Sequence, residues 1–137
     1  MTIQYSTAVR NAKLDAIEVT GGASCALRIY TGAQPANCAA ANAGTLLLDI
    51  NLPSDWMAAA GSGSKAKTGT WSGTASGGSA STPGHFRIYN NQTTKDGTTC
   101  IIQGSCGIGS GDMAADGTIT SGQTVTVNSF TINDNNG

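Results

Sequence analysis

Cys25-Ala26-Leu27-Arg28-Ile29-Tyr30 is the stretch that decides the fold class. Cys25, Leu27 and Ile29 fall on alternate positions, so an extended chain gathers them on one face and leaves Ala26, Arg28 and Tyr30 on the other. That alternation is what a half-buried strand requires. Thr31-Gly32 ends it.

Upstream, Gly21-Gly22 separates this strand from a segment with a different period. Residues 6–19 are expected to form the one α-helix, with Ser6 as N-cap and the glycine pair as the stop. Val9, Ala12, Ala16 and Ile17 form its apolar stripe. The charges are oddly placed: Arg10 and Lys13 lie in the first half, Asp15 and Glu18 in the second, which opposes the helix dipole. Each like-charged pair is also three residues apart. These effects are worth only tenths of a kcal/mol each, but a helix burdened with them needs docking, on its own domain or on a partner.

Downstream, Leu46 to Leu52 reads as a strand of nearly continuous apolar character, ended by Pro53. Lys67 to Ser72, His85 to Tyr89, Thr99 to Gly104 and Thr124 to Ile132 are further strands between Gly, Ser, Asn and Asp clusters. Residues 35–44 read as a short helix or a loop. Asp96-Gly97 and Asp116-Gly117 are turn signals expected to flank the strand around Ile101 with hairpins. In the last strand Val125 and Val127 point one way and Phe130 and Ile132 the other, so it holds a bulge near Asn128-Ser129 or crosses between sheets. Gly/Ser-rich stretches within 58–82 and 104–118 are expected to be flexible loops. Short strands with long polar connections favour a mainly β, β-sandwich or jelly-roll-like single domain over residues 1–137, with one N-terminal helix.

Charged residues make up 11% of the chain and the formal net charge is -1. The basic residues are scattered, which disfavours nucleic acid as a partner. No run approaches the roughly 20 apolar residues of a membrane span, and the start lacks a signal-peptide pattern, so cytoplasmic synthesis with no membrane association is expected. In a reducing compartment Cys25, Cys38, Cys100 and Cys106 are expected to stay free thiols, with Cys25 and Cys100 as core residues.

The chemistry-bearing residues do not assemble into an enzyme signature. There is one histidine, His85, and no G-x-S-x-G elbow. The cysteine spacings are not those of a zinc site, and Asp112, Asp116 and Asp134 do not match a calcium loop. Gly104 to Gly111 lacks a Walker lysine and a following helix, so a phosphate cradle is disfavoured. No catalytic residue, metal or cofactor is expected. Trp56, Met57 and Trp71 read either as core anchors or as interface residues.

Several stretches carry a resemblance: Tyr5-Ser6-Thr7-Ala8-Val9-Arg10-Asn11-Ala12, Leu27-Arg28-Ile29-Tyr30-Thr31-Gly32, Leu52-Pro53-Ser54-Asp55-Trp56-Met57, His85-Phe86-Arg87-Ile88-Tyr89, Gly109-Ser110-Gly111-Asp112-Met113 and the ending from Gly122 to Ile132. Together they resemble a family of small structural proteins of tailed-bacteriophage virions. The resemblance implies a virion component made in the host bacterial cytoplasm. By fold-level analogy it implies a decoration (cement) protein on the capsid surface. Its expected partner is the major capsid protein, with a homodimer or homotrimer on the lattice. The contact residues expected are Ile3, Tyr5, Arg10 and Lys13 of the N-terminal segment and the Trp56-Met57 corner. The alternatives are a tail or head-fibre protein and a glycan-binding module that uses Trp71 and Trp56.

Overall fold

The computed structural model describes residues 2–135. Helix α1 spans Thr7–Gly21, and Ser6 caps it: Ser6 Oγ accepts from the Val9 N–H at 3.3 Å. The helix continues past Val19 because Gly21 brings it directly onto the core. A Cβ at Gly21 would lie 2.8 Å from Trp56 Cζ2 and 2.9 Å from Cys25 Sγ. Gly22, with φ of 72°, is the actual stop, and its N–H returns to the Glu18 carbonyl at 2.8 Å.

Within the described residues the strands are β1 (Ala26–Tyr30), β2 (Leu46–Asn51), β3 (Ser64–Ala66), β4 (Ser72–Thr74), β5 (His85–Tyr89), β6 (Cys100–Ile108), β7 (Ser110–Gly111), β8 (Met113–Ala115), β9 (Thr124–Thr126) and β10 (Thr131–Asn133). Six of them form one sheet in the order β2-β1-β5-β6-β7, with β8 pairing β6 in parallel. This sheet curls into a half-barrel. Two antiparallel ribbons, β3–β10 and β4–β9, supply the layer opposite. The fold is thus the mainly β single domain with one helix that the alternation predicts, its second layer built from ribbons.

The core lies between these layers. β1 sets Leu27 opposite Ile50 and Ile88, and Ile29 opposite Leu48 and Phe86. A register shift at Ile29/Tyr30 lets Leu47 and Leu48 both be buried, which accounts for the consecutive leucines that open β2. Phe86 meets Phe130 edge-on at 5.3 Å, Phe130 meets Trp71 at 5.7 Å, and Trp71 meets Trp56 at 6.3 Å. Each such side chain contributes about 1.5–3 kcal/mol by leaving water.

The other face of β1 and β5 is also covered, by the connection 31–45, which is irregular rather than helical. Arg87, fully buried, donates from Nη1 to Ala40 O at 3.1 Å and Asn42 Oδ1 at 2.7 Å, and from Nη2 to Cys38 O at 2.5 Å. Gln103 Nε2 donates to Pro35 O at 2.7 Å, and Tyr89 Oη to Asn42 Oδ1 at 2.7 Å. These bonds offset the desolvation of the guanidinium.

Three expectations need correction. The strand expected at 67–72 is absent: Gly69, at φ of 68°, breaks the extended chain there, and β3 and β4 form on either side. The strand expected at 124–132 is two strands, and the chain crosses from the β4–β9 ribbon to the β3–β10 ribbon with both Val127 and Phe130 buried. The reversal of apolar face is this crossing. Asp116-Gly117 closes no hairpin, because β9 pairs with β4 rather than β8. Asp96-Gly97 does lie in the β5–β6 connection, where Asp96 O accepts from the Thr99 and Cys100 N–H groups.

Candidate interaction surface

The helix docks on its own domain mostly through polar groups. Leu14 and Gly21 are buried and Ile17 packs against the core. Around them Asn11 Oδ1 accepts from Gly63 N at 2.9 Å, Asp15 Oδ1 from Ala60 N at 2.9 Å, and Glu18 Oε1 from Met57 N at 3.4 Å. Segment 57–63 presents these N–H groups outside the named strands, and the helix carboxylates and amide serve as their acceptors. Lys65 reaches up from β3 and places Nζ 2.8 Å from Asp15 Oδ1, 3.0 Å from Glu18 Oε2 and 2.8 Å from Ala58 O.

The charge pattern that opposes the helix dipole thus has tertiary partners. The Lys65 hydrogen bond, then the Ala60 N–H, holds the Asp15 carboxyl below its ordinary range. Burial pulls the Lys65 ammonium down, but Asp15 and Glu18 outweigh it and hold it above the usual lysine value. At the basic end Arg10 Nε donates to Asp134 O at 2.7 Å and Lys13 Nζ pairs with Asp134 Oδ2 at 2.8 Å. Lys13 also lies 4.5 Å from the centre of the Tyr5 ring.

Of the contact residues expected from the sequence, Ile3 is 74% exposed, and Tyr5 and Lys13 are also on the surface. Arg10 is half-buried and committed to Asp134. Trp56 and Met57 need correction: at 0% and 1% exposure they are core residues, and neither can touch a partner in this conformation. Trp56 Nε1 donates to Gly22 O at 3.1 Å, tying the helix end to the core. Trp71 is equally buried, with Nε1 on Thr68 O at 3.1 Å, so the proposed pair of sugar-stacking tryptophans presents no face to solvent.

The apolar stripe also needs correction. Ile17 belongs to the docked side, whereas Val9, Ala12 and Ala16 face solvent together with Val19, which is 82% exposed. Positions i, i+3, i+7 and i+10 lie on one side of a helix. Val19 was missed because the stripe was closed with Ile17; the recurrence counted from Val9 was the signal for it.

His85 is buried and stacked on Tyr30 at 5.1 Å, and Nδ1 donates to Gly32 O at 2.9 Å. Cys25 and Cys106 are core residues whose thiols burial pushes up to about 11. Cys100, expected in the core, is half-buried instead, because the register shift at Ile88/Tyr89 sets it opposite Tyr89 rather than in the aliphatic row. An open groove of about 510 Å³ runs beside the helix, its wall mixed: Ile17, Phe86 and Ile102 share it with Gln103, Asp112 and Asn133. Among the described residues no group of three or more His, Cys, Asp or Glu is placed to hold a metal ion. Comparison with protein-family models, curated proteins and solved structures gives no match for this chain.

Proposed function

We propose that the chain is a virion component of a tailed bacteriophage, a decoration subunit that binds the outer capsid shell through its N-terminal arm and the solvent side of α1. The observation that carries this reading is where the exposed large apolar residues lie: Ile3, Tyr5, Val9 and Val19 are on the arm and helix, and Ile108 stands apart. The domain docks α1 by polar contacts and leaves its apolar stripe outward, as a surface made to meet another protein would. The sequence resemblance supplies the particle, and the major capsid protein is the partner proposed. Two or three copies grouped on the lattice would add many weak contacts. A ligand that binds only the assembled shell stabilises that state by mass action.

Quantitative mass spectrometry of purified particles tests the role. A copy number equal to that of the major capsid protein, or a simple fraction of it, is expected. A handful of copies per particle would move the protein to the tail or a head fibre, and absence would remove it from the virion. Binding to shells stripped of this protein tests the surface: Val19→Lys, whose charge suits the helix C-terminus and lies four residues after Asp15, should weaken it at least tenfold without lowering the melting temperature of the free subunit.

A further inference from the structure

The four cysteines divide into two pairs. Cys25 and Cys106 are sealed in the core, whereas Cys38 and Cys100 are half-buried and lie on the far side of the sheet. Cys38 belongs to the covering connection, and its carbonyl accepts from Arg87 Nη2 at 2.5 Å. Cys100 opens β6 opposite Tyr89, two residues along β5 from Arg87. On either side the connection is held to the same two strands, by Gln103 on Pro35 O at 2.7 Å and by Tyr89 on Asn42 Oδ1 at 2.7 Å. The Cys38 and Cys100 side chains act on each other electrostatically, the Arg87 guanidinium neighbours Cys100, and the Cys100 thiol donates to Ile102 O at 3.4 Å.

We infer that Cys38 and Cys100 form an oxidative cross-linking site, a disulfide that staples the covering connection to β6 when the surroundings become oxidising. The co-reactant is a low-molecular-weight disulfide. The Cys38 thiolate, formed by loss of its proton to solvent, attacks one sulfur of that disulfide and expels one thiolate. The Cys100 thiolate then attacks the mixed disulfide at Cys38 Sγ and expels the second. The two cysteines are oxidised, the small disulfide is reduced to two thiols, and the two cysteine protons end on those thiols or in solvent. Burial pushes the Cys100 thiol up to about 11, with Arg87 opposing and Cys38 adding to the rise, so its thiolate is the minor form and the closing step quickens as pH is raised. Closing residues 39–99 into a loop restricts the unfolded chain and so stabilises the folded one.

The test uses the whole chain, incubated with oxidised glutathione at about pH 8 and quenched by alkylation. Mass mapping should find one intramolecular bond, between Cys38 and Cys100, with Cys25 and Cys106 alkylated only after unfolding. The oxidised chain should melt at least ~5 °C higher than the reduced one, and dithiothreitol should reverse the shift. Cys38→Ser and Cys100→Ser should each abolish the shift. A persistent glutathione adduct on Cys38, a bond to any other cysteine, a bond between two chains, or four thiols left free would each overturn the inference. The mapping on the unsubstituted chain decides even where a variant folds poorly.

Discussion

Lys65 and Asp15 form an ion pair whose members lie on opposite sides of the solvent boundary: Nζ is 2.8 Å from Oδ1, the Lys65 side chain is 1% exposed, and that of Asp15 is 45% exposed. The cation is therefore the member that depends on its partner.

Removing the carboxylates should do more harm than removing the ammonium. Asp15→Asn with Glu18→Gln strands a buried charge, whereas Lys65→Met leaves two carboxylates that reach water and one carbonyl, Ala58 O, without its donor. Lys65→Met is expected to cost about 1–2 kcal/mol. In urea titrations the double variant should have the lower midpoint; the reverse order would show that the pair is not organised around the buried cation.

The same pair sets a pH window. Asp15, held down by Lys65, Asp96, by the Thr98 hydroxyl, and Asp112, by the Ser105 hydroxyl, all have folded values below their ordinary ones. Their contribution is present above the unfolded value of about 4 and is lost as pH falls through the lower folded values. Lys65 is raised, so its contribution is complete below about 10.4 and is lost as pH rises through the folded value. Burial raises the Cys25, Cys100 and Cys106 thiols to about 11, so their contribution is complete only below the unfolded value of about 8.5 and is lost as pH rises above it. Melting temperature should be flat between about pH 5 and pH 7.5 and fall on either side, and Asp15→Asn should make the acid decline shallower.

The two glycines at the helix end act by different physics. At Gly22 an added Cβ meets open space but would sit on a backbone with φ of 72° and ψ of -165°, a region that essentially only glycine adopts, so Gly22→Ala should cost about 1–3 kcal/mol. At Gly21 a Cβ lies within 3.0 Å of Trp56, Cys25 and Ile101, and Gly21→Ala should cost about 1–3 kcal/mol through overpacking. Thermal melting should show both variants destabilised; an unchanged melting temperature for Gly21→Ala would mean that the helix end yields easily, and for Gly22→Ala that the backbone there rearranges at no cost.

Trp71 lies between Trp56 and Phe130, so Trp71→Ala should cost about 3–5 kcal/mol. Tryptophan emission of the folded chain should be blue-shifted from that of the unfolded chain. It should not respond to millimolar polysaccharide. A saccharide-dependent change would contradict the burial of both indoles.

Legibility in the sequence followed the reach of the signal. β1 and β5 stand where their alternation places them, and Ser6 caps the helix as its residue type predicts. β3 and β4 were not legible, because Ser64-Lys65-Ala66 and Ser72-Gly73-Thr74 carry no apolar period. The inward residue of β3 is a lysine whose carboxylate partners, Asp15 and Glu18, lie on α1, far upstream in the chain. Gly73 is small because Ile50 fills the space its side chain would take. At the candidate surface Ile3 and Tyr5 were legible as an apolar arm, but composition cannot tell a core tryptophan from an interface one, so Trp56 was misplaced.

The segment that covers the far face of the sheet is gripped by Arg87 and Gln103 largely through its own main chain: the acceptors are the carbonyls of Pro35, Cys38 and Ala40, with Asn42 Oδ1 the side-chain acceptor beside them. A carbonyl is the same in every residue. A foreign epitope grafted at Ala33 or Ala36, both exposed, would therefore be displayed on an unaltered fold provided that Asn42 is kept together with Thr31 and Asn37, whose side chains accept from Thr45 N and Ala40 N, and Gly44, where a Cβ would meet Thr31 O.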